Sequence, residues 1–327
     1  MKFLIIQTAF LGDVILATSV VEKLRQKFHS AEIDFLLRQG NEDVLEKHPF
    51  IREVIVLDKR KDKLRNLLSI AEKVRSKKYD FVINLQRFGS SGFIAWRSGA
   101  KEKIGFGKNP FSFCYTTKVK HRIGTGLHET ERNHELIKQL TDTVPAMPKL
   151  YPTEKDRQTV TEQYGLLPDG YACIAPASVW HTKQFPKEKW MELTSALQHI
   201  PICLIGGQND IKLCEEIKTN TPGAQVHVFA GKLSLLQTAA LMKNARMNYV
   251  NDSAPLHMAS AMNAPVTGIF CSTVPAFGFG PLSDNSNVVE TREKLDCRPC
   301  GLHGHPICPK GHFKCAHTIS IKDILNV

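Results

Sequence analysis

Strand-like and helix-like segments alternate along this chain twice over, and that alternation narrows the fold more than any other feature. In the first half, apolar runs at Phe3–Ile6, Ile33–Leu37, Glu53–Leu57 and Phe81–Asn84 are separated by stretches of helical period at Val14–Phe28, Asn41–Lys47 and Leu64–Lys77. In the second, strands are predicted at Tyr171–Ala175, Ile202–Ile205, Gln225–Phe229, Met247–Val250 and Val266–Phe270. Helices are predicted between them at Lys187–His199, Asp210–Thr219, Ser234–Lys243 and Ala254–Met262. Such repetition implies parallel sheets with helices on both faces. Val144-Pro-Ala-Met-Pro-Lys-Leu-Tyr-Pro152 divides the two series; three prolines in nine residues cannot continue a helix and read as a linker. At 327 residues the chain is too long for one ordinary core, so two α/β domains are expected, 1–150 and 151–327, with a two-substrate cleft between them.

Several function classes lose support at once. No run approaches the roughly 18 apolar residues of a membrane span. A start that runs from Lys2 straight into a strand is unlike a cleaved signal, so a cytoplasmic location is expected. Neither half carries Gly-x-Gly-x-x-Gly after its first strand, nor a Walker loop, which removes the usual marks of hydride transfer and of P-loop hydrolysis. Lys and Arg outnumber Asp and Glu by 43 to 32. The excess is clustered at Lys59–Arg65, Arg75–Lys78, Arg97–Lys108 and Lys118–Arg122, all in the first half. Such clusters are either a solvated face or a surface for an acidic partner, whether nucleic acid, anionic membrane or phosphorylated glycan.

The chemistry-bearing residues fall in strand-exit loops, where open α/β sheets bind ligands. Thr8-Ala-Phe-Leu-Gly-Asp13 links the first strand to the first helix and delivers one carboxylate, Asp13, which is either a helix cap or a catalytic acid/base. Ala175-Pro-Ala-Ser-Val-Trp-His-Thr-Lys-Gln-Phe-Pro186 holds Ser178 and Lys183, a hydroxyl and an ammonium suited to a diphosphate. Asn251-Asp252-Ser253 has helix-cap composition, and the backbone N–H groups from Ser253 and Ala254 onward form an anion site, with His257 one turn further in. Ala230-Gly-Lys-Leu-Ser-Leu235 is a further strand exit that could hold a base.

These motifs, in this order and over nearly the whole chain, resemble the ADP-heptose:lipopolysaccharide heptosyltransferases of glycosyltransferase family nine. The resemblance implies a GT-B fold of two facing Rossmann-like domains with a central cleft, the acceptor in the N-terminal one and the donor in the C-terminal one. It implies inverting transfer of heptose from ADP-heptose to the inner core of lipopolysaccharide, with no metal needed for the transfer. Asp13 matches the family's base, and Lys183 the lysine on the donor diphosphate. Ser178 matches a hydroxyl donor to the phosphates and Leu233 the residue lining the adenine. Asp252, Ser253 and His257 match the phosphate- and sugar-binding helix start. Two departures bear on donor choice: many members have Gly where Ala254 stands, and Val179 replaces a hydroxyl. On the acceptor side are Thr8 and Gly12 in the first turn and the basic residues Lys59, Arg60, Lys61 and Arg122. The last four would aid recruitment of a phosphorylated, lipid-linked core or lipid A acceptor, with peripheral attachment to the inner membrane.

The C-terminal tail, Cys297-x2-Cys300-x7-Cys308-x6-Cys315 with four interleaved histidines, carries ligand types for a structural Zn²⁺; free thiols are the other reading. Basic clusters plus this tail motivate a rival assignment, a zinc-containing nucleic-acid-binding protein. It is weakened by the lack of aromatic residues among Lys59–Arg65. A third assignment keeps the architecture but makes the protein a nucleotide-sugar epimerase or hydrolase.

Overall fold

The computed structural model describes residues 1–60, 62–164 and 170–326. The chain divides into two compact units, Met1–Tyr151 and Pro152–Val327. In the first, strands β1 (Lys2–Ile6), β2 (Glu32–Arg38), β3 (Ile51–Leu57), β4 (Phe81–Asn84), β5 (Glu102–Phe106) and β6 (Thr117–Val119) form one sheet in the order β3-β2-β1-β4-β5-β6, and every pairing is parallel. Helices α1 (Leu11–Lys27), α2 (Lys63–Ser76), α3 (Gly89–Arg97) and α4 (Glu129–His134) accompany it.

In the second unit, strands β7 (Ala172–Ala175), β8 (Ile202–Leu204), β9 (Val226–Val228), β10 (Met247–Asn251), β11 (Val266–Phe270) and β12 (Ser286–Glu290) are again all parallel, in the order β12-β11-β10-β7-β8-β9. The helices here are α5 (Glu154–Tyr164), α6 (Lys187–Ala196), α7 (Ile211–Thr219), α8 (Leu235–Asn244), α9 (Ala254–Met262), α10 (Lys314–His317) and α11 (Ile321–Leu325).

Both sheets therefore share one order. Counting within each unit, the first strand lies beside the fourth and the chain winds outward in both directions from that pair. This is the doubly wound arrangement, whose switch point opens a crevice at the carboxyl ends of the two central strands. In unit 1 the crevice lies beyond Ile6 and Asn84, in unit 2 beyond Ala175 and Asn251.

Central strands are buried on both faces, so they read as continuous apolar runs; Phe3 to Ile6 are all fully buried. In unit 1, Leu4, Ile6, Leu36 and Ile55 pack with Val74 and Ile94 from the covering helices α2 and α3. In unit 2, Trp190 of α6 is fully buried, edge-on to Phe185 at 5.3 Å, and joins a core with Ile174, Leu204 and Ile269. The proline-rich segment is tied to unit 1: Lys149 N donates to Thr18 Oγ1 at 2.9 Å, and Tyr151 Oη donates to Glu22 Oε1 at 2.8 Å.

Three expectations need revision. Asn41–Lys47 is not an α-helix; a single 3-10 turn covers Glu42–Leu45, and the Asn41 side chain instead donates to Ala9 O at 3.1 Å. The first helix starts at Leu11, not Val14. Edge strands β6 and β12, and β5 beside β6, were not anticipated, because Glu-Lys-Ile-Gly-Phe, Thr-Lys-Val and Ser-Asn-Val-Val-Glu are short, polar or glycine-bearing.

Candidate active site

In unit 1 the β1 exit turns directly into α1. Phe10 occupies the N-cap position, its side chain makes no capping bond, and Asp13 is the third helical residue. Asp13 therefore does not occupy the cap; its carboxylate sits in the first turn, where the helix dipole favours negative charge. Thr8 and Gly12 in the same turn are buried. Lys59, just past β3, reaches back so that its Nζ donates to Thr8 Oγ1 at 3.0 Å and to Thr8 O at 3.2 Å. Burial and the neighbouring Arg38 both push the Lys59 ammonium below its usual range. Arg38 lies over the Phe10 ring at 4.6 Å. Burial lowers its pKa, Asp13 opposes that shift, and Arg60 adds to it. Asp13 is thus in the field of Arg38, which ends β2, and Arg38 in turn neighbours Lys59 and Arg60, both just past β3.

A second carboxylate was not anticipated. Glu129 opens α4, is buried, and is paired with Arg132, whose Nη2 lies 2.6 Å and Nε 2.8 Å from Glu129 Oε2. Burial pushes the Glu129 carboxyl up to about 7 against the pull of Arg132, and the charge of Asp13 adds to the rise. Glu129 is thus an electrostatic neighbour of Asp13. The helix start was legible, since His128-Glu-Thr-Glu131 forms a capping box with His128 at the N-cap. The nearness to Asp13 was not, because the two residues are distant in sequence.

Exposed Arg122 lines a separate cavity of about 290 Å³ together with Arg132, Lys120 and Lys138. Lys61 lies outside the described residues. The basic clusters are partly neutralised: Lys73 and Lys77 both pair with Glu53, and Lys101 lies 3.7 Å from Asp80.

In unit 2 the switch point brings together residues from three strand exits. Lys183 Nζ, in the 3-10 turn His181–Lys183 after β7, lies 2.7 Å from Asp252 Oδ2 after β10. The same oxygen accepts from Thr273 Oγ1, beyond β11, at 2.6 Å. An ammonium has three donors, so one bond to Asp252 orients Lys183 and leaves others for a ligand. Asn251 staples the neighbouring loops. Its Nδ2 donates to Pro176 O at 2.9 Å, and its Oδ1 accepts from Phe185 N at 2.9 Å. That positioning role was not anticipated for a residue assigned to the helix cap.

Ser253 holds the N-cap position of α9 with no side-chain capping bond, Ala254 begins the helix, and Pro255 follows without an N–H. His257 is buried one turn in, its ring 6.1 Å from Phe279. Ser178 is half-buried, with Gln184 Nε2 donating to its carbonyl at 2.5 Å. Half-buried Leu233 follows Gly231, whose φ of +70° turns the β9 exit, and Ser234 then caps α8 in a capping box with Gln237.

The tail is corrected. Among the described residues no group of three or more His, Cys, Asp or Glu side chains is arranged to hold a metal ion. A zinc site at Cys297, Cys300, Cys308 and Cys315 is therefore not supported. Cys315 is buried on α10 in the unit 2 core, where burial pushes its thiol up to about 11, and Cys308 packs against the same core.

The tail braces the β7 and β11 exit loops instead. Arg298 donates to Cys271 O and Thr273 O, each at 2.7 Å, and Cys300 N donates to Ser272 O at 2.8 Å. Thr182 N donates to His305 O at 3.1 Å, and His305 N donates to Thr182 Oγ1 at 2.7 Å. Gly304, at φ +75°, comes so close that a Cβ would stand 2.9 Å from Lys183 Cγ and 3.0 Å from Thr182 Oγ1. Gly304→Ala should therefore displace the Lys183 turn, at a cost of about 1–3 kcal/mol for a strained backbone. A loss of stability on that scale in chemical denaturation is the expected sign, and unchanged stability would show that the turn accommodates a Cβ without strain.

Residues 67–304 match glycosyltransferase family 9 (heptosyltransferase). The chain belongs to glycosyltransferase family 9. Among curated relatives, family 9 similarity extends to lipopolysaccharide heptosyltransferase 3 of Escherichia coli strain K12, 27% identical over 287 residues, 84% of this chain and 83% of that one. Among solved structures, a family 9 glycosyl transferase from Veillonella parvula DSM 2008 superposes with a TM-score of 0.86 at 23% identity, covering 99% of this chain and 95% of the other. The E. coli heptosyltransferase WaaC with ADP gives 0.71 at 23% identity, over 88% and 92%. These likenesses establish the fold as GT-B, an α/β fold built from two Rossmann-like units. As a family 9 member the protein is a glycosyltransferase, which disfavours the nucleic-acid-binding and epimerase or hydrolase assignments.

Proposed function

We propose that the protein transfers heptose from ADP-heptose to the inner core of lipopolysaccharide with inversion, working as a peripheral enzyme on the cytoplasmic face of the inner membrane. Unit 2 binds the donor and unit 1 the acceptor. The observation that carries this reading is the Lys183–Asp252 pair at the switch point of unit 2, an oriented ammonium beside a helix start. The names of the relatives support the sugar and the acceptor, and a solved relative described with ADP-2-deoxy-2-fluoro heptose supports the donor.

In the proposed reaction the acceptor oxygen bonds to the anomeric carbon while the bond from that carbon to the diphosphate oxygen breaks, and ADP leaves. Asp13 accepts the acceptor's hydroxyl proton as attack proceeds, since a sugar hydroxyl is otherwise a poor nucleophile. Negative charge grows on the departing diphosphate, so Lys183 and the backbone amides of Ser253 and Ala254 act most strongly in the transition state. Thr8 and Gly12 shape the floor under the base, and Arg38, Lys59 and Arg60 present positive charge to a phosphorylated or acidic acceptor. Ser178 donates to the phosphates, His257 reaches the sugar side of the α9 start, and Leu233 lies against the adenine.

The test is direct. Incubation with ADP-heptose and a heptose-deficient core acceptor should add one heptose by mass, and ADP should bind more tightly than UDP, GDP or CDP in calorimetry. Release of free heptose without acceptor modification, or preference for another nucleotide, would reject this assignment.

A further inference from the structure

Unit 1 carries a plate of aromatic side chains that the proposed chemistry does not use. Phe88 at the N-cap of α3, Trp96 near its end and Phe113 in the following loop are 64%, 44% and 66% exposed. Phe93 and Phe111 join Trp96 and Phe113, with ring centroids 5.9 Å apart for Phe93–Phe111, Trp96–Phe111 and Phe111–Phe113, and 6.3 Å for Trp96–Phe113.

The plate is built into the fold. Asn109 Nδ2 donates to Gln86 O at 3.0 Å and to Phe88 O at 3.1 Å, and its Oδ1 accepts from Phe111 N at 2.9 Å. Gly92 makes room for this clamp, since a Cβ there would stand 2.0 Å from Asn109 Oδ1. The apolar surface continues onto α2, where Leu64 is 70% and Leu68 42% exposed; Leu64 and Ser90 of α3 line one groove.

Large exposed aromatic patches are uncommon on soluble surfaces and mark a docking face. The charge around this one specifies what docks. From Phe81 to Lys120 the sequence has seven lysines and arginines against a single carboxylate, Glu102. Arg87 and Arg97 flank Phe88 and Trp96 directly in the chain. Lys103 and Lys118 act electrostatically on Cys114, next to Phe113, and aromatic rings beside such cations suit the interface of an anionic bilayer, where rings sit at headgroup depth and cations meet lipid phosphates. The rings also pack on one another, which suits insertion as a unit better than stacking on separate bases.

We infer that the plate of Trp96, Phe111 and Phe113, with exposed Phe88 tied beside it through Asn109, inserts into the headgroup region of an anionic membrane and seats unit 1 on it. This rests on the peripheral attachment proposed above and assigns it a surface. Among the described residues no helix is long and apolar enough to cross a membrane, so attachment through this face is interfacial.

Vesicle sedimentation and tryptophan fluorescence test it on the full chain. The protein should sediment with phosphatidylcholine vesicles containing phosphatidylglycerol, and brominated acyl chains should quench its emission. Trp96→Phe should bind vesicles but lose that quenching. The double variant Phe88→Ser, Phe113→Ser should partition at least about tenfold less, given the apolar area removed. Vesicle binding without Trp96 quenching, and unchanged in the double variant, would overturn the plate while leaving membrane attachment standing. No binding to anionic vesicles would overturn both. A concentration-dependent dimer that the double variant abolishes would assign the plate to self-association and overturn the inference.

Discussion

Asp13→Asn is expected to lower the transfer rate by roughly 10²–10⁴-fold, the range for a lost general base, while donor affinity stays within a few-fold. The amide keeps the size of the side chain but cannot accept the proton. Because Phe10 and not Asp13 holds the N-cap position, the substitution does not replace the cap residue, and the expected folding cost is that of one first-turn charge, about 0.3–1 kcal/mol. Single-turnover kinetics with a fixed donor, set beside chemical denaturation, separate the two roles. A variant that unfolds readily yet transfers at a near-normal rate would reject Asp13 as the base. Glu129 gives a useful comparison: it is buried and held by Arg132, so it cannot substitute for Asp13 without breaking that pair.

The second large effect is expected at Lys183. Lys183→Ala should weaken ADP binding by about 10–100-fold, as expected for loss of a charge-assisted bond worth about 1.5–3 kcal/mol. The structure complicates the single substitution, since it also strips Asp252 of its cation and leaves that buried carboxylate with Thr273. The double variant Lys183→Ala, Asp252→Asn resolves this. If Lys183 binds the diphosphate, ADP affinity stays low in the double variant. If Lys183 serves only to neutralise Asp252, affinity returns, and the lysine leaves the donor site.

Much of the architecture was readable where local patterning is strong. Most interior strands, such as Phe3–Ile6 and Val266–Phe270, are apolar runs buried on both faces, so their composition announces them; interior β5, Glu-Lys-Ile-Gly-Phe, is the exception. β6 and β12 sit at sheet edges, as β3 and β9 do, and escaped because Thr-Lys-Val and Ser-Asn-Val-Val-Glu are short and polar. Asn41–Lys47 was misread as a helix because a few apolar residues at the right spacing cannot reveal that the Asn41 side chain is engaged elsewhere. The tail misled for a related reason. Four cysteines and four histidines supply metal-ligand chemistry, yet among the described residues no three such side chains are arranged to hold an ion; Cys315 packs into the core, while Arg298, Cys300 and Gly304 fasten the segment to strand exits.

The sequence by itself determined the two α/β series, the break at the proline-rich segment and the strand-exit loops that carry Asp13, Lys183 and Asp252. Each is a local property, set by hydrophobic period, turn residues and helix starts. Only the tertiary structure decided which exits become neighbours. Placing β7 beside β10 sets Lys183 against Asp252, and the folding of α4 brings Glu129 into the field of Asp13. Strand order is not written in local periodicity. It follows from how helices cover both faces of a twisted sheet through right-handed crossovers, a balance struck over the whole domain.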